Sequence, residues 1–116
     1  MKDWFTDTFM KQVNLQEHRK CTNYDAELPD PIDMYGSATG MIIEIGEMLQ
    51  CDTRWKKAVT GSPKEPVYNR EQFVEEMADV FIYLLNTAIY SGISIDELKK
   101  QIENKQNIVR RRFGLQ

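Results

Sequence analysis

The sequence is poor in the residues that build most metal and disulfide sites. It contains one histidine, His18, and two cysteines, Cys21 and Cys51, which form no CxxC pattern. A di-iron carboxylate bundle needs paired Glu-x-x-His motifs, so a single histidine excludes that class. Two well-separated cysteines do not make a disulfide framework, and they favour a reducing, cytoplasmic environment.

Long apolar runs and strong charge are also lacking. The stretch MKDWFTDTFMKQ has no continuous apolar segment, so we expect no signal peptide. The most apolar stretch, VFIYLLNTAIYSGISI, is interrupted by Asn86 and Thr87 and is too short and polar to span a membrane. The formal net charge of -3 argues against nucleic-acid binding through broad basic attraction. We therefore expect neither a membrane nor a nucleic-acid partner.

Apolar residues recur with helical spacing, and alternation with a period of two is nowhere sustained. We predict a single all-α domain over residues 1–116, a bundle of about four helices. The predicted helices cover residues 3–20, 34–50 with an extension to Trp55, 70–91 and 95–112. Pro29 and Pro31 mark a connection before the second helix. The short loop before the last helix predicts that the third and fourth helices are antiparallel neighbours.

Caps support the third and fourth helices. Asn69 with Gln72, and Ser94 with Glu97, have the spacing of a capping box, in which the first residue caps the helix and the second reaches back to it.

Two pairs of carboxylates interrupt apolar helices. Glu44 and Glu47 lie within IIEIGEM, and Glu76 and Asp79 lie within EEMADVF. Residues three apart share a helix face, and the second helix is apolar almost all round, which predicts burial. Carboxylate oxygens are the ligands that Mg²⁺ prefers. The two pairs therefore predict a divalent metal site between the helices.

Polar groups suited to a ligand adjoin this predicted site. Tyr83 and Asn86 follow Glu76 and Asp79 on one stripe of the third helix, where they either contact a ligand or satisfy each other. Lys105 and Arg112 lie within the apolar face of the last helix. A cation on such a face is costly unless an anion meets it, which predicts contacts to phosphate.

The sequences EIGE and EMAD together resemble the ExxE…ExxD signature of the all-α nucleoside triphosphate pyrophosphohydrolases, the superfamily of MazG and the dimeric dUTPases. The pairs are separated by 28 residues, and the resemblance covers roughly residues 35–113. The segment RWKK, which contains Trp55 and Lys56, resembles a Trp-Lys stretch of dUTPase-like members.

This resemblance implies Mg²⁺-dependent hydrolysis of a nucleoside triphosphate between its α- and β-phosphates, with Mn²⁺ as a substitute ion. It implies that the metal ligands and catalytic residues are Glu44, Glu47, Glu76 and Asp79. The implied substrate contacts are Trp55, Lys56, Tyr83, Asn86, Lys105 and Arg112. An asparagine expected four residues after Lys105 is replaced by Val109, so Asn107 with Arg110 is an alternative register.

Substrate and assembly are less closely defined. The RWKK stretch favours a deoxynucleotide such as dUTP or dCTP, and non-standard nucleotides are equally compatible. The resemblance implies a homodimer or homotetramer, and the apolar sides of the second and third helices also predict an oligomer. The alternative is a non-catalytic helical interaction module. Binding of Mg²⁺ separates the two interpretations.

Overall fold

The computed structural model describes residues 3–20 and 29–115. Within these ranges the chain forms five α-helices and one isolated β-bridge, so the all-α prediction is confirmed there. The helices are α1 Trp4–Lys20, α2 Pro31–Gln50, α3 Arg54–Thr60, α4 Arg70–Tyr90 and α5 Ile95–Arg112. Cys21 lies outside the described residues.

Helix α2 begins at Pro31, three residues before the predicted start. The side chain of Asp30 caps the helix by accepting a hydrogen bond from the backbone N–H of Asp33 at 3.2 Å. Proline suits the first helical position because the N–H that it lacks would have no partner there. The interpretation of Pro31 as part of a connection was therefore wrong.

The predicted extension of α2 to Trp55 is also replaced, by the short helix α3. Helix α2 ends at Gln50, and the chain then pairs briefly with the segment that enters α4. Thr53 N–H donates to the carbonyl of Val67 at 2.8 Å, and Asn69 N–H donates to the carbonyl of Cys51 at 2.7 Å. Helix α3 and the loop after it thus form an excursion that returns the chain beside the end of α2.

Helix α4 is the centre of the fold. It packs most extensively along α2, and its second half packs against α1. The fully buried apolar core lies between α1 and α4 and is small: Phe9, Val13, Leu85, Ala88 and Ile89. Gly40 permits the close approach of α2, because a Cβ atom there would lie 2.4 Å from Cε1 of Tyr83.

Buried amides fix the register of α1 on α4. The Nε2 atoms of Gln12 and Gln16 both donate to Oδ1 of Asn86, at 2.7 and 3.0 Å. Tyr90 OH donates to Oε1 of Gln16, which also accepts from Arg19 Nη1 at 3.2 Å. A satisfied network of this kind allows one alignment of the two helices, since sliding would leave buried amides unpaired.

Helix α5 departs from the expected arrangement. The predicted capping box is present, with Glu97 N–H donating to Ser94 Oγ at 3.2 Å and Ser94 N–H donating to Oε2 of Glu97 at 3.0 Å. Among the described residues, Ile95 and Leu98 are the members of this helix that pack against the core. The prediction that α4 and α5 are antiparallel neighbours was wrong, because the described parts of these helices have little contact. The radius of gyration is 17.5 Å, against about 13 Å for a compact domain of this length.

Candidate metal centre

Three glutamates from two helices converge where α2 crosses α4. Glu44, Glu47 and Glu76 each offer a carboxylate oxygen, and these oxygens all lie within 4.8 Å of one another. The spacing of three residues puts Glu44 and Glu47 on the α4-facing side of α2, as expected from the sequence. Separations of this size allow a single divalent ion to be ligated by all three side chains.

Two of these carboxylates have a buried oxygen that nothing satisfies. Atom Oε2 of Glu44 and atom Oε2 of Glu76 are inaccessible to solvent and have no hydrogen-bond partner. Buried polar atoms in native proteins are nearly always paired, so each exception calls for an explanation such as an ion. The donor set is made of hard oxygens, which fits Mg²⁺ or Mn²⁺.

The electrostatics of the cluster are those of acids crowded together. The pKa of Glu44 is raised from 4.5 to about 7, first by burial, then by the close carboxylate of Glu76 and by the negative charge of Glu47. The leading causes of the shift all raise the pKa, and none of them is a cation. The cluster therefore retains a proton near neutrality, and a bound cation would take over the role of that proton.

Asp79, the fourth predicted ligand, lies at the edge of the carboxylate cluster. It is exposed and falls outside the group of three converging oxygens. Its charge nevertheless contributes to the raised pKa of Glu44. The structure thus brings three of the four predicted ligands together and leaves the fourth close enough to act through its charge.

Cys51 is a neighbour of the carboxylate cluster that was not among the predicted site residues. Its thiol is buried and donates to the carbonyl oxygen of Glu47 at 3.4 Å. Burial raises its pKa, and the charges of Glu76 and Glu47 raise it further. The thiol therefore stays protonated beside the carboxylates. Its position four residues after Glu47 was the signal available in the sequence.

The predicted substrate residues on α3 lie close to the end of α2. Trp55 is half-buried, and its Nε1 donates to the carbonyl of Leu49 at 3.1 Å. Lys56 is also half-buried, with its Nζ atom 5.6 Å from the centroid of the Trp55 ring. Both side chains belong to α3, in the segment that connects α2 to α4. That segment begins at the end of α2, about one helical turn after Glu47.

The two predicted substrate residues on α4 contact the neighbouring helices α2 and α1. Tyr83 is half-buried with its ring against Gly40, on the side of α4 that carries Glu76. Asn86 is buried, and its Oδ1 atom is occupied by Gln12 and Gln16. The expected alternative, in which Asn86 and Tyr83 satisfy each other, is thus replaced by bonds to α1.

The two predicted phosphate cations are not gathered at the carboxylates. Lys105 and Arg112 are exposed on α5 and form no ion pair with any described residue. An open groove of about 630 Å³ follows this helix, and Glu44, Glu47 and Glu76 are not among its described lining residues. These lining residues are Lys105, Gln106, Asn107, Val109 and Arg110.

Comparisons of the chain with protein-family models, with curated proteins and with solved structures found no match. Among the described helices, none has the length and apolar character needed to cross a membrane.

Proposed function

We propose that the protein is a Mg²⁺-dependent nucleoside triphosphate pyrophosphohydrolase. The observation that carries this proposal is the convergence of Glu44, Glu47 and Glu76, with two buried oxygens that have no partner. The order and spacing of EIGE and EMAD resemble the signature of the all-α pyrophosphohydrolases. This resemblance is the basis for the proposed reaction. The products would be a nucleoside monophosphate and pyrophosphate.

The roles of the residues follow from their positions. Glu44, Glu47 and Glu76 would hold the ion, and Asp79 would add negative charge or bind through water. When bound, Mg²⁺ or Mn²⁺ would stabilise the charge that develops on the phosphate chain. A cluster carboxylate that is not committed to the ion accepts a proton from the water that attacks the α-phosphorus in line.

The nucleotide would lie between this cluster and the start of α3. Trp55 and Lys56 extend the site from the end of α2 and supply an aromatic face and a cation. Lys105 and Arg112 are assigned to the phosphate chain because neither forms an ion pair with a described residue. Deoxynucleotides such as dUTP and dCTP are the first substrates to test, followed by non-standard nucleotides.

We also propose a homo-oligomer, a dimer or a tetramer, acting in the cytoplasm. One stripe of α2 that points away from α4 is apolar and exposed, and it consists of Tyr35, Ile42, Ile45 and Leu49. Exposed apolar stripes of this length are typical of surfaces that another chain covers. The large radius of gyration supports the same conclusion.

Product analysis tests the activity. Purified protein with Mg²⁺ is incubated with a panel of nucleoside triphosphates, and pyrophosphate and single phosphate are measured separately. At least one substrate should release pyrophosphate, and Glu47→Gln should abolish that release. Glu75→Gln is the matched control, because Glu75 is exposed and lies outside the cluster. Single phosphate as the main product, or full activity of Glu47→Gln, would contradict the proposal.

A non-catalytic helical interaction module is the second candidate, favoured by the exposed apolar surface of α2. Such a module has no requirement for a metal ion. Calorimetric titration with Mg²⁺ distinguishes the two, because only the pyrophosphohydrolase should bind the ion with a stoichiometry that Glu47→Gln removes.

A further inference from the structure

The charges of the chain are unevenly distributed. Residues 99–116 contain six basic side chains and one acidic side chain, Glu103, whereas residues 1–98 contain nine basic and seventeen acidic side chains. The net charge of -3 therefore hides a basic helix joined to an acidic remainder. Such segregation is typical of chains whose basic part contacts a nucleic acid or another anionic surface. The expectation of no nucleic-acid partner was based only on the sum of these charges.

One face of α5 carries two cations with two amides between them. Lys100, Asn104, Asn107 and Arg111 follow one another at intervals of four, three and four residues. At 100° per residue these four side chains lie within an arc of about 60°, in a row about 17 Å long that we call the outer stripe. The cations lie at its two ends and the amides at its centre.

The outer stripe is open to solvent. Its four side chains are exposed, and neither Lys100 nor Arg111 forms an ion pair with a described residue. The stripe lies on the side of the helix opposite Ile102 and Val109, so it is separate from the apolar face. It also points about 120° away from the two cations assigned to the triphosphate. A ligand on the outer stripe therefore does not compete for those cations.

Helix stability accounts for only part of this composition. The arginines of the last turn interact favourably with the negative end of the helix dipole, and lysine is a good helix former. Asparagine is a weak helix former, because its amide competes for backbone hydrogen bonds. Asn104 and Asn107 nevertheless occupy exposed positions in the middle of α5, where no hydrogen bond from their side chains to a described residue is found. Amides placed between cations suit a ligand that is anionic and also offers hydrogen-bonding groups.

Duplex DNA has both properties. Lysine and arginine bind its phosphates, and asparagine makes paired hydrogen bonds to adenine in the major groove. That groove is about 12 Å wide and admits an α-helix. A lipid surface would attract the cations but would make no use of the amides. The major groove of duplex RNA is too narrow for side chains to read.

We infer that α5 binds in the major groove of duplex DNA. Asn104 and Asn107 contact base edges, and Lys100 and Arg111 contact phosphates on either side of them. The row of about 17 Å spans about five base pairs at 3.4 Å for each pair. This binding is a property of α5 alone and does not depend on the proposed hydrolysis.

The acidic remainder of the chain leaves this docking possible. After Lys99 the described residues of α5 are exposed, apart from the half-buried Ile108. From Lys99 to Arg112 the helix extends about 20 Å, whereas charges are screened over about 10 Å at 0.1 M salt. The remainder therefore repels DNA mainly near the first turns of the helix. Glu103, beside the outer stripe, is the acidic residue that opposes binding most directly.

Binding is measured by fluorescence anisotropy, with the full chain and a labelled DNA duplex of about 20 base pairs at about 50 to 200 mM salt. Lys100→Gln combined with Arg111→Gln removes two phosphate contacts, so binding should weaken about tenfold or more. The slope of the logarithm of the binding constant against the logarithm of salt concentration should become shallower by about two. Melting temperatures should show that the variant is folded.

The matched control removes the same charge elsewhere. Lys57 and Lys64 are exposed on α3 and in the loop that follows it. Lys57→Gln combined with Lys64→Gln should leave duplex binding and its salt dependence nearly unchanged. An equal loss in this control would overturn the inference, because attraction would then depend on total charge rather than on α5.

Two further variants test the roles within the helix. Glu103→Gln removes the opposing charge and should tighten duplex binding a few fold. Asn104→Ala combined with Asn107→Ala should keep the salt slope but lose the preference of the wild type for duplexes that contain adenine. A preference that persists in this variant, or weaker binding by Glu103→Gln, would contradict the assigned contacts.

Duplex RNA, single-stranded DNA and phosphatidylserine vesicles are compared as other anionic ligands. Each should bind more weakly than duplex DNA. Binding of any of them as tightly as duplex DNA would overturn docking in the groove, as would failure of the wild type to bind the duplex at about 50 mM salt. Hydrolysis is scored separately, so a protein without activity would count against the proposed function and not against DNA binding.

Discussion

Glu44 on α2 and Glu76 on α4 face each other with carboxylate oxygens within 4.8 Å, and each has one buried oxygen without a hydrogen-bond partner. Two carboxylates at this separation repel each other, so the metal-free protein retains a proton that reduces the repulsion. A divalent ion would reduce the repulsion more completely, because it would neutralise the charge and coordinate the oxygens that lack a hydrogen-bond partner.

The metal-free protein should lose stability as the pH rises through the range of this shared proton. The pKa of Glu44 is raised from 4.5 to about 7 in the folded protein. The folded state therefore binds more protons than the unfolded state between these values, so this group stabilises the protein at low pH and ceases to do so above about pH 7. Glu44→Gln should remove the effect.

The measurement is the melting temperature of both proteins in a chelator between pH 4.5 and 8. The variant should be the more stable protein at pH 8, and the difference should shrink toward pH 4.5. Carboxyls with a lowered pKa, such as Asp52 beside Arg54, act in the opposite direction but are common to both proteins. A difference that does not change with pH would show that Glu44 does not carry the proton.

Mg²⁺ should stabilise the wild-type protein more than variants in which one of the cluster carboxylates is replaced. An ion at 100 times its dissociation constant adds about 2.7 kcal/mol to the free energy of unfolding. Glu47→Gln should abolish most of this gain, since Glu47 belongs to the converging group. Asp79→Asn should reduce it less, because Asp79 lies outside that group.

Thermal melts of the three proteins, each with chelator and with Mg²⁺, give this ranking directly. Without metal, Asp79→Asn should melt above the wild type, since it removes one charge from a repulsive cluster. An Asp79→Asn protein that melts lower without metal and keeps full activity would argue for a structural ion pair instead.

Asn86 should contribute to stability rather than to nucleotide affinity. Truncation to alanine leaves the amides of Gln12 and Gln16 buried without their acceptor, and such a loss costs about 1–3 kcal/mol. Asn14→Ala on the exposed side of α1 should change the free energy of unfolding little. Urea unfolding gives the energies, and the Michaelis constant for the triphosphate should be unchanged in the folded Asn86→Ala protein.

Two glycines of α2 should respond in opposite ways to the same substitution. Gly40→Ala places a Cβ atom 2.4 Å from the ring of Tyr83, whereas at Gly46 nothing lies within 4 Å. Overpacking costs about 1–3 kcal/mol, while alanine is favoured over glycine in a helix by about 1 kcal/mol. Unfolding curves should therefore show Gly40→Ala destabilised and Gly46→Ala stabilised. Equal effects at both positions would contradict the close approach of α2 and α4.

Local signals in the sequence predicted local structure well. The Ser94–Glu97 pattern gave the start of α5 because a capping box is completed within four residues. The carboxylate spacing gave the shared face of Glu44 and Glu47 for the same reason. Pro31 was misread because proline is equally suited to a turn and to the first position of a helix.

Features that depend on distant residues were not accessible in this way. The bonds of Asn86 are made with Gln12 and Gln16, 74 and 70 residues away. The sequence therefore suggested only its neighbour Tyr83 as a partner. The return of residues 67–69 to the end of α2 depends on backbone groups that have no sequence signature. The departure of α5 from the bundle depends on which surfaces the other helices leave free.

The amide network also sets an order of events during synthesis. Gln12 and its partner Asn86 are separated by 74 residues. At the usual rates of translation, α1 emerges about 4 to 15 s before the residue on which it docks. During that interval Phe9 and Val13 have none of their core partners on α4. Helix α1 is therefore exposed to chaperones before its docking surface exists, and it reaches its buried position only after α4 has been made.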